Sequence, residues 1–169
     1  ELLMKEIFER RSIRKYKDKK IEAEKIEKLL EAAVAAPSAG NEQPWHFVVI
    51  KDRKRLDHLA EIHPYAKMLK EAPLAVAVCA DLNKQKHQGF WVQDCSAATQ
   101  NILLEAVSLD LGAVWLGCHP AEAREKAVSE YLELPANFKT LSLIAVGYPA
   151  EEKGKTDRLS EDIVHYEKW

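Results

Sequence analysis

The sequence lacks several features that would assign it to a common class of protein. No apolar run approaches the roughly 18 residues that a membrane-spanning helix needs. The formal net charge is only −2, which argues against a basic nucleic-acid-binding protein of the usual kind. The three cysteines cannot all pair within one chain, and the charges within residues 1–6 interrupt what would be the core of a signal peptide. We therefore expect reduced thiols and a cytoplasmic protein.

The common catalytic and metal-binding motifs are missing too. The glycines within residues 112–117 do not have the spacing of a dinucleotide-binding turn. No serine stands in a G-x-S-x-G setting, and no pair of acids stands out as an acid–base dyad. The histidines and cysteines have no metal-binding spacing, and we interpret His58 and His63 as structural or exposed. Because a missing nucleophile is typical of an enzyme whose reactive group is a bound cofactor, we name no catalytic side chain and no metal ligand.

Hydrophobic patterning predicts one compact domain over the 169 residues, without internal repeats. Apolar residues at helical spacing predict helices at about 22–36, 53–62 and 88–110, with a further helix that opens at Pro120. Short apolar runs predict strands at 45–50, 74–80, 113–116 and 140–146. Four strands with more helix than sheet indicate an α+β or α/β layered fold.

Two features indicate that one chain is not the whole unit. The long helix at 88–110 carries apolar residues off its main stripe, namely Phe90, Trp91, Leu104 and Val107. The C-terminal tail ends on Tyr166 and Trp169 but has no core of its own. Burial of each large aromatic is worth about 2–3 kcal/mol. A homodimer would supply the missing surface, and a tail that folds back on its own chain is the alternative.

Two basic groups lie near the ends of the chain. The first is Arg10, Arg11, Ser12 and Arg14, and the second is Lys153, Lys155 and Arg158. Closely spaced arginines can hold a phosphate dianion, because the planar guanidinium fork matches the phosphate oxygens. The two groups would complete one anion site if the ends of the chain meet. The alternative, which the pattern alone favours, is a solvated basic stretch.

The loop at residues 37–44 combines small residues with two carboxamides, Asn41 and Gln43, between two prolines. Such a loop can bring backbone and amide groups close to a planar polar ligand without bulky side chains in the way. A plain connection between a helix and a strand is the alternative.

These motifs together resemble the nitroreductase family of FMN enzymes. The two most specific are residues 10–16 (RRSIRKY) and 36–47 (APSAGNEQPWHF), in this order and spacing. Supporting motifs follow at 67–73 (KMLKEAP), 94–101 (DCSAATQN), 112–117 (GAVWLG) and 145–149 (AVGYP), and end with Lys155 and Arg158. The resemblance therefore spans nearly the whole chain.

The resemblance implies an α+β fold in the form of a three-layer sandwich, with a central mixed sheet flanked by helices. It also implies an intertwined homodimer with FMN bound at the subunit interface. Residues 1–169 would form a single FMN-binding domain. Within it, residues 150–169 would be a C-terminal tail that packs on the partner subunit.

The resemblance also implies which residues hold the FMN. The family's segment for the phosphate, ribityl and pyrimidine end corresponds to Arg10, Arg11, Ser12 and Arg14, and its C-terminal phosphate contacts correspond to Lys155 and Arg158. The loop that reaches the flavin, in part from the partner subunit, corresponds to Pro37, Ser38, Ala39, Asn41 and Gln43. The segment near the ring edge and N5 corresponds to Trp115, Leu116 and Gly117, and Lys67 corresponds to a lysine near N1 and O2. Where some members carry an acidic residue next to the N5 contact, this chain has Gly117 and Cys118.

The activity implied by the resemblance is that of an FMN-dependent oxidoreductase. It would pass hydride from NAD(P)H through flavin N5 to a nitroaromatic, quinone or similar acceptor by a ping-pong mechanism, without a nucleic-acid or membrane partner. Other flavin chemistry, such as dehalogenation or flavin breakdown, and non-catalytic flavin binding are the alternatives. A cofactor-free structural dimer is a third, and Arg14→Ala distinguishes it because only a flavin protein would lose bound flavin.

Overall fold

The computed structural model describes residues 4–169, and this part of the chain contains five α-helices and four β-strands. The helices are α1 (Lys5–Glu9), α2 (Ala23–Val34), α3 (Arg53–Ile62), α4 (Trp91–Ser108) and α5 (Glu122–Tyr131). The strands are β1 (Trp45–Ile50), β2 (Leu74–Asp81), β3 (Gly112–Gly117) and β4 (Phe138–Gly147). Every predicted helix and strand is confirmed, with ends that differ by a few residues. None of the helices in residues 4–169 is both long and apolar enough to cross a membrane.

The four strands form one sheet in the order β1-β2-β4-β3, and each pair of neighbours is antiparallel. The α+β fold class is confirmed, but the expectation of a mixed sheet is corrected for these strands. Within residues 4–169 the one parallel pairing is the isolated bridge between Ser12 and Ala113. The N-terminal segment does not extend it into a ladder, because it next pairs with Pro149 through Tyr16.

Helices cover both faces of the sheet and produce the predicted three layers. On β2, Leu74, Val76 and Val78 face a core that includes residues of α2 and α4. The alternate residues Ala75 and Ala77 face a second core that includes residues of α3 and α5. Because both faces of this strand are buried, its sequence is apolar at every position from 74 to 80 rather than alternating.

Two glycines allow the arginine-rich segment to lie close to the sheet. A Cβ atom on Gly112 would be 2.7 Å from Cγ2 of Ile13, and one on Gly147 would be 2.7 Å from Cδ1 of Tyr16. Larger residues at either position would push the segment away from the sheet. The glycines therefore help to set residues 10–16 along the outer edge of β3.

The C-terminal tail does not fold back onto the core of its own chain. Trp169 is fully exposed and Tyr166 is 85% exposed. The structure therefore does not show the alternative in which the tail folds back on its own chain. The prediction that Trp91 belongs to the surplus apolar surface of the long helix is wrong. Trp91 is only 6% exposed and packs against the His119 ring, with the ring centres 4.6 Å apart.

Candidate functional site

A cleft of about 510 Å³ lies beside the outer edge of β3. Its walls come from the segment around Arg14, from the stretch after α3 and from the end of β3. The lining residues are Arg14, Pro64, Tyr65, Lys67, Met68, Trp115, Leu116 and Gly117. Five of these eight carry predicted roles, and they come from three distant parts of the sequence. The fold thus brings one third of the fifteen predicted site residues into a single cavity.

The backbone of β3 presents polar groups to this cleft. The Ala113 carbonyl accepts a hydrogen bond from the Ile13 N–H at 3.0 Å, and the Gly117 carbonyl lies 2.9 Å from Nε2 of His63. In an antiparallel ladder each residue directs its N–H and C=O to the same side, and alternate residues share a side. The peptide groups of Trp115 and the N–H of Gly117 therefore point away from β4, where they can bond to a planar heterocycle.

A cluster of arginines lies at the start of the same segment. Burial lowers the pKa of Arg10, and the nearby guanidiniums of Arg158 and Arg11 lower it further. With the residues that the structure describes, none of the three forms an ion pair. Clustered like charges destabilise one another unless an anion binds among them, so this cluster is suited to a phosphate.

The two ends of the chain meet beside these arginines. The Lys153 ammonium donates to the Ser12 carbonyl, and the Arg11 guanidinium donates to the Gly154 carbonyl. Lys155 lies 3.8 Å from a Glu9 carboxylate oxygen, and its side chain is 72% exposed. The joined ends line a second cavity of about 500 Å³. Arg11 and Lys155 border this cavity together with four carboxylates, those of Glu9, Asp110, Glu151 and Glu152.

The predicted loop at residues 37–44 lies elsewhere in the single chain. None of its residues lines the cleft. The loop is held instead against α4, where the Ala39 N–H donates to Oδ1 of Asp94 at 2.9 Å. Within the loop, Gln43 donates from its backbone to Oγ of Ser38 and from its side chain to Oδ1 of Asn41. The structure therefore does not bring Pro37, Ser38, Ala39, Asn41 and Gln43 to the other predicted residues within one chain.

Sequence analysis missed the acidic residues that support this loop. Asp94 is only 3% exposed, its Oδ2 atom has no hydrogen-bond partner among the described residues, and burial raises its pKa. Glu42 accepts from the backbone N–H groups of Lys86 and His87 through Oε1, at 2.6 and 2.7 Å. The available signal was an acid within an apolar helix face, since Asp94 stands between the buried residues Trp91 and Cys95.

The three cysteines are buried, and burial disfavours the thiolate form that a nucleophilic cysteine needs. Burial raises the pKa of Cys79 to about 11 and that of Cys118 to about 12, and it also raises the pKa of Cys95. At neutral pH these thiols stay protonated, whereas the thiolate is the reactive form. The arrangement agrees with a site whose chemistry is not carried by a cysteine side chain.

Comparison with known proteins gives consistent matches over most of the chain. The model of the nitroreductase family matches residues 7–66 and 60–148. A protein of Archaeoglobus fulgidus with the provisional name NADH dehydrogenase/NAD(P)H nitroreductase is 50% identical over 170 residues, covering 98% of both chains.

Solved structures agree with the sequence match. A provisionally named NADH oxidase from Clostridium acetobutylicum has a TM-score of 0.94 at 52% identity, covering 97% of this chain and 99% of that one. A provisionally named nitroreductase from Desulfovibrio desulfuricans, crystallised in complex with FMN, has a TM-score of 0.85 at 34% identity. That match covers 99% of this chain and 97% of that one.

Proposed function

The chain belongs to the nitroreductase family, and on that premise we propose that it is an FMN-dependent NAD(P)H oxidoreductase that reduces nitroaromatics, quinones or similar acceptors. The observation that carries the proposal is the cleft beside β3. There the N-terminal segment, the stretch after α3 and the edge strand meet around one space of about 510 Å³. This size is in the usual range for a cofactor pocket.

The described residues fit FMN at both of its ends. The unneutralised cluster of Arg10, Arg11 and Arg158 suits the phosphate, and the polar backbone of β3 suits the ring. The segment that starts at Arg10 runs parallel to β3 where Ser12 pairs with Ala113, and it reaches the cleft at Arg14. One continuous stretch therefore leads from a phosphate site to a ring site.

Each part of the chain has a distinct role in this proposal. When bound, FMN supplies the redox chemistry, because its N5 can take a hydride from NAD(P)H and return it to an acceptor. Lys67 lines the cleft, and its positive charge would stabilise negative charge at the N1 and O2 end of a bound flavin. The Trp115 and Gly117 peptides hold the ring in position. We propose a ping-pong order, in which nicotinamide and acceptor occupy the same remaining space in turn.

A homodimer completes the proposed site. The loop at 37–44 is remote from the cleft of its own chain, so a second copy would have to supply it. Exposed apolar side chains provide surface for such a contact, including Val34 at 50%, Phe90 at 48% and Trp169 at 100%. We propose that the tail at 150–169 packs on the partner subunit. The three buried free cysteines favour a reducing compartment, which supports our inference of a cytoplasmic location.

The test is to purify the protein with added FMN and to record its visible spectrum before and after anaerobic NADH and NADPH. We expect bound flavin that bleaches with at least one nucleotide and recovers when a quinone or a nitroaromatic is added. Light scattering on the same sample should give twice the chain mass of 19.2 kDa. Arg14→Ala should weaken retention of flavin, and Arg55→Ala, an exposed residue of α3, should not.

Each other result points to a different conclusion. Bound flavin that neither nucleotide reduces would replace the proposal with other flavin chemistry or with non-catalytic flavin binding. A protein that retains no flavin would contradict both the proposed activity and the roles given to Arg10, Arg11, Ser12 and Arg14.

A further inference from the structure

His63 follows α3 directly and is held on all sides. Its side chain is buried, and the residue as a whole is 1% exposed. The backbone N–H donates to the Leu59 carbonyl and the backbone carbonyl accepts from the Ala66 N–H, both at 3.1 Å. In the ring, Nδ1 accepts from the Tyr65 N–H at 3.2 Å, and Nε2 lies 2.9 Å from the Gly117 carbonyl oxygen. Every polar atom of His63 therefore has a partner.

These partners determine which ring nitrogen carries the proton. A backbone N–H can only donate and a carbonyl oxygen can only accept, so Nδ1 must be bare and Nε2 must carry hydrogen. A protonated ring would direct a second donor at the Tyr65 N–H and would lose that bond. Burial lowers the pKa of His63, and the Arg124 guanidinium lowers it further, so the neutral ring is the stable form at pH 7.

The two ring bonds join opposite walls of the cofactor cleft. Tyr65 belongs to the wall that follows α3, and Gly117 is at the end of β3. Gly117 has no side chain, and a Cβ atom there would meet nothing within 4 Å. Packing therefore does not fix the orientation of this peptide, and hydrogen bonds must do so. The N–H and C=O of a strand residue point to the same side, so the carbonyl that bonds to His63 and the N–H available to a ligand lie on the same edge of β3 at Gly117.

We propose that His63, as the neutral tautomer with its proton on Nε2, is a positioning residue that fixes the Gly117 peptide at the cofactor cleft. This inference rests on the proposed function, because it is the bound flavin that would sense the orientation of that N–H. His63 does not line the cleft itself and acts through Gly117. The bond between the two residues adds a rigid support to an edge strand that has only one neighbouring strand.

The surroundings of the ring determine its response to pH. Arg124 approaches from α5 and lies 4.7 Å above the Tyr65 ring, which is 6.4 Å from the imidazole. Cys118, next to Gly117, is a buried thiol whose raised pKa keeps it uncharged. The nearby charge is therefore positive, and it opposes protonation of the ring. We expect the cleft to keep its geometry at neutral pH and to lose the Tyr65 bond only in acid.

Two substitutions at position 63 separate the two ring bonds. In His63→Asn, the side-chain oxygen takes the place of Nδ1 and can still accept from the Tyr65 N–H, but the donor to Gly117 is lost. In His63→Gln, the amide nitrogen takes the place of Nε2 and can still donate to Gly117. The same two substitutions at His58 are the matched controls, because its ring packs against that of Tyr131, with the ring centres 4.2 Å apart, and does not line the cleft.

The first measurement needs no flavin. In the wild-type chain labelled with ¹⁵N, the imidazole shifts of His63 should report hydrogen on Nε2 and a bare Nδ1 at pH 7. They should keep that pattern below about pH 6.5, where an ordinary histidine is half protonated. An Nδ1–H tautomer or an imidazolium at pH 7 would overturn the inference without any variant having to fold.

The second measurement uses the FMN-loaded protein. We expect His63→Asn to slow anaerobic hydride transfer from NAD(P)H by about fivefold to tenfold, the effect of one misplaced hydrogen bond, and to shift the flavin absorption band. His63→Gln should stay within about twofold of wild type in rate, although it loses the other bond. Because protonation of the ring would remove only the Tyr65 bond and leave the Nε2 donor in place, the wild-type rate and the His63→Gln rate should have the same dependence on pH.

The outcomes distinguish this inference from the proposed function. If Asn and Gln lower the thermal midpoint but leave the rate and the flavin spectrum unchanged, His63 is merely structural and the positioning role is overturned. The same follows if the two variants slow the reaction equally. If the wild-type protein binds no FMN, or if neither nucleotide reduces it, the proposed function fails and the positioning role fails with it. If the wild-type enzyme turns over and both His63 variants have the same rate and flavin spectrum as the wild type, only the positioning role is contradicted.

Discussion

The centre of the sheet and its β3 edge are built on opposite principles. β2 has strands on both sides, and its residues from Leu74 to Ala80 are all buried and apolar or nearly so. β3 has a strand on one side only, and its other edge faces a cleft that contains the charged side chains of Arg14 and Lys67. The centre satisfies its backbone groups internally, whereas the edge keeps peptide groups and positive charges available for a ligand.

This difference indicates that stability and binding reside in separate parts of the molecule. Burial of apolar side chains in the centre stabilises the fold irrespective of any ligand. At the edge, burial and then the neighbouring guanidiniums of Arg158 and Arg11 lower the pKa of Arg10, and a bound anion would relieve the repulsion among these charges. Substitutions in the centre should therefore change the free energy of unfolding, and substitutions at the edge should change the affinity for FMN.

The largest expected effect is on the centre of the sheet. Leu143 in β4 is fully buried, and Leu143→Ala should lower the free energy of unfolding by about 2–5 kcal/mol in a urea titration. Affinity for FMN in the folded fraction should stay close to that of wild type. Lys54→Ala, an exposed change on α3, is the control and should stay within about 0.5 kcal/mol. A large loss of FMN affinity without a loss of stability would contradict the conclusion that the centre of the sheet serves stability and not binding.

The next effect is on the arginine cluster. Arg10→Ala should weaken FMN binding by about 10- to 100-fold, because it removes a charged partner of the phosphate. The flavin-free protein should keep its stability, since the change also removes repulsion with Arg158 and Arg11. Fluorescence titration of FMN measures the affinity, and Arg55→Ala is the matched control. An unchanged dissociation constant would show that the cluster does not hold the phosphate.

Two glycines of β3 allow effects on stability and effects on FMN binding to be compared within a single strand. Gly112→Ala places a Cβ atom 2.7 Å from Ile13 and should cost about 1–3 kcal/mol of stability. Gly117→Ala meets nothing within 4 Å, so the flavin-free fold should be unaffected, but the added methyl group enters the cleft. We expect thermal melting to change for the first variant and FMN affinity for the second. The reverse pattern would contradict the placement of the cofactor at the end of β3.

The smallest effect concerns the pH dependence due to Asp94. Burial raises the pKa of its carboxyl group, so the folded protein holds this proton to a higher pH than the unfolded chain does. Its contribution to stability is therefore complete below the unfolded pKa and is lost as pH rises through the raised folded value. Asp94→Asn keeps an oxygen that can accept from the Ala39 N–H, and it should remove this dependence of stability on pH.

Urea titrations of wild type and Asp94→Asn between about pH 4 and pH 8 measure that dependence. Asp94→Ala is the companion variant, because it removes the charge and also the acceptor that holds the loop. If the two variants are equally stable, the bond to Ala39 contributes nothing measurable. If wild type and Asp94→Asn have parallel pH profiles, the carboxyl group does not titrate as its burial implies.

The elements that could be predicted are those whose pattern is local. The run at 74–80 is apolar at every position, which identifies a strand covered on both faces, and the strand at 45–50 was predicted with the bounds that the structure has. The parallel component of the sheet could not be predicted in the same way. It reduces to the single bridge between Ser12 and Ala113, because the segment next pairs with Pro149 through Tyr16.

The sequence pattern by itself determined the positions of the helices and strands and a layered fold of α and β elements. The family resemblance added the α+β class and most of the residues that line the cleft. Only the tertiary structure decided which distant residues meet. Lys67 and Trp115 share a cleft with Arg14, and His63 reaches Gly117 across 54 positions of the chain. The physical reason is that periodicity reports which face of an element is buried, whereas a contact between elements depends on how their faces pack together.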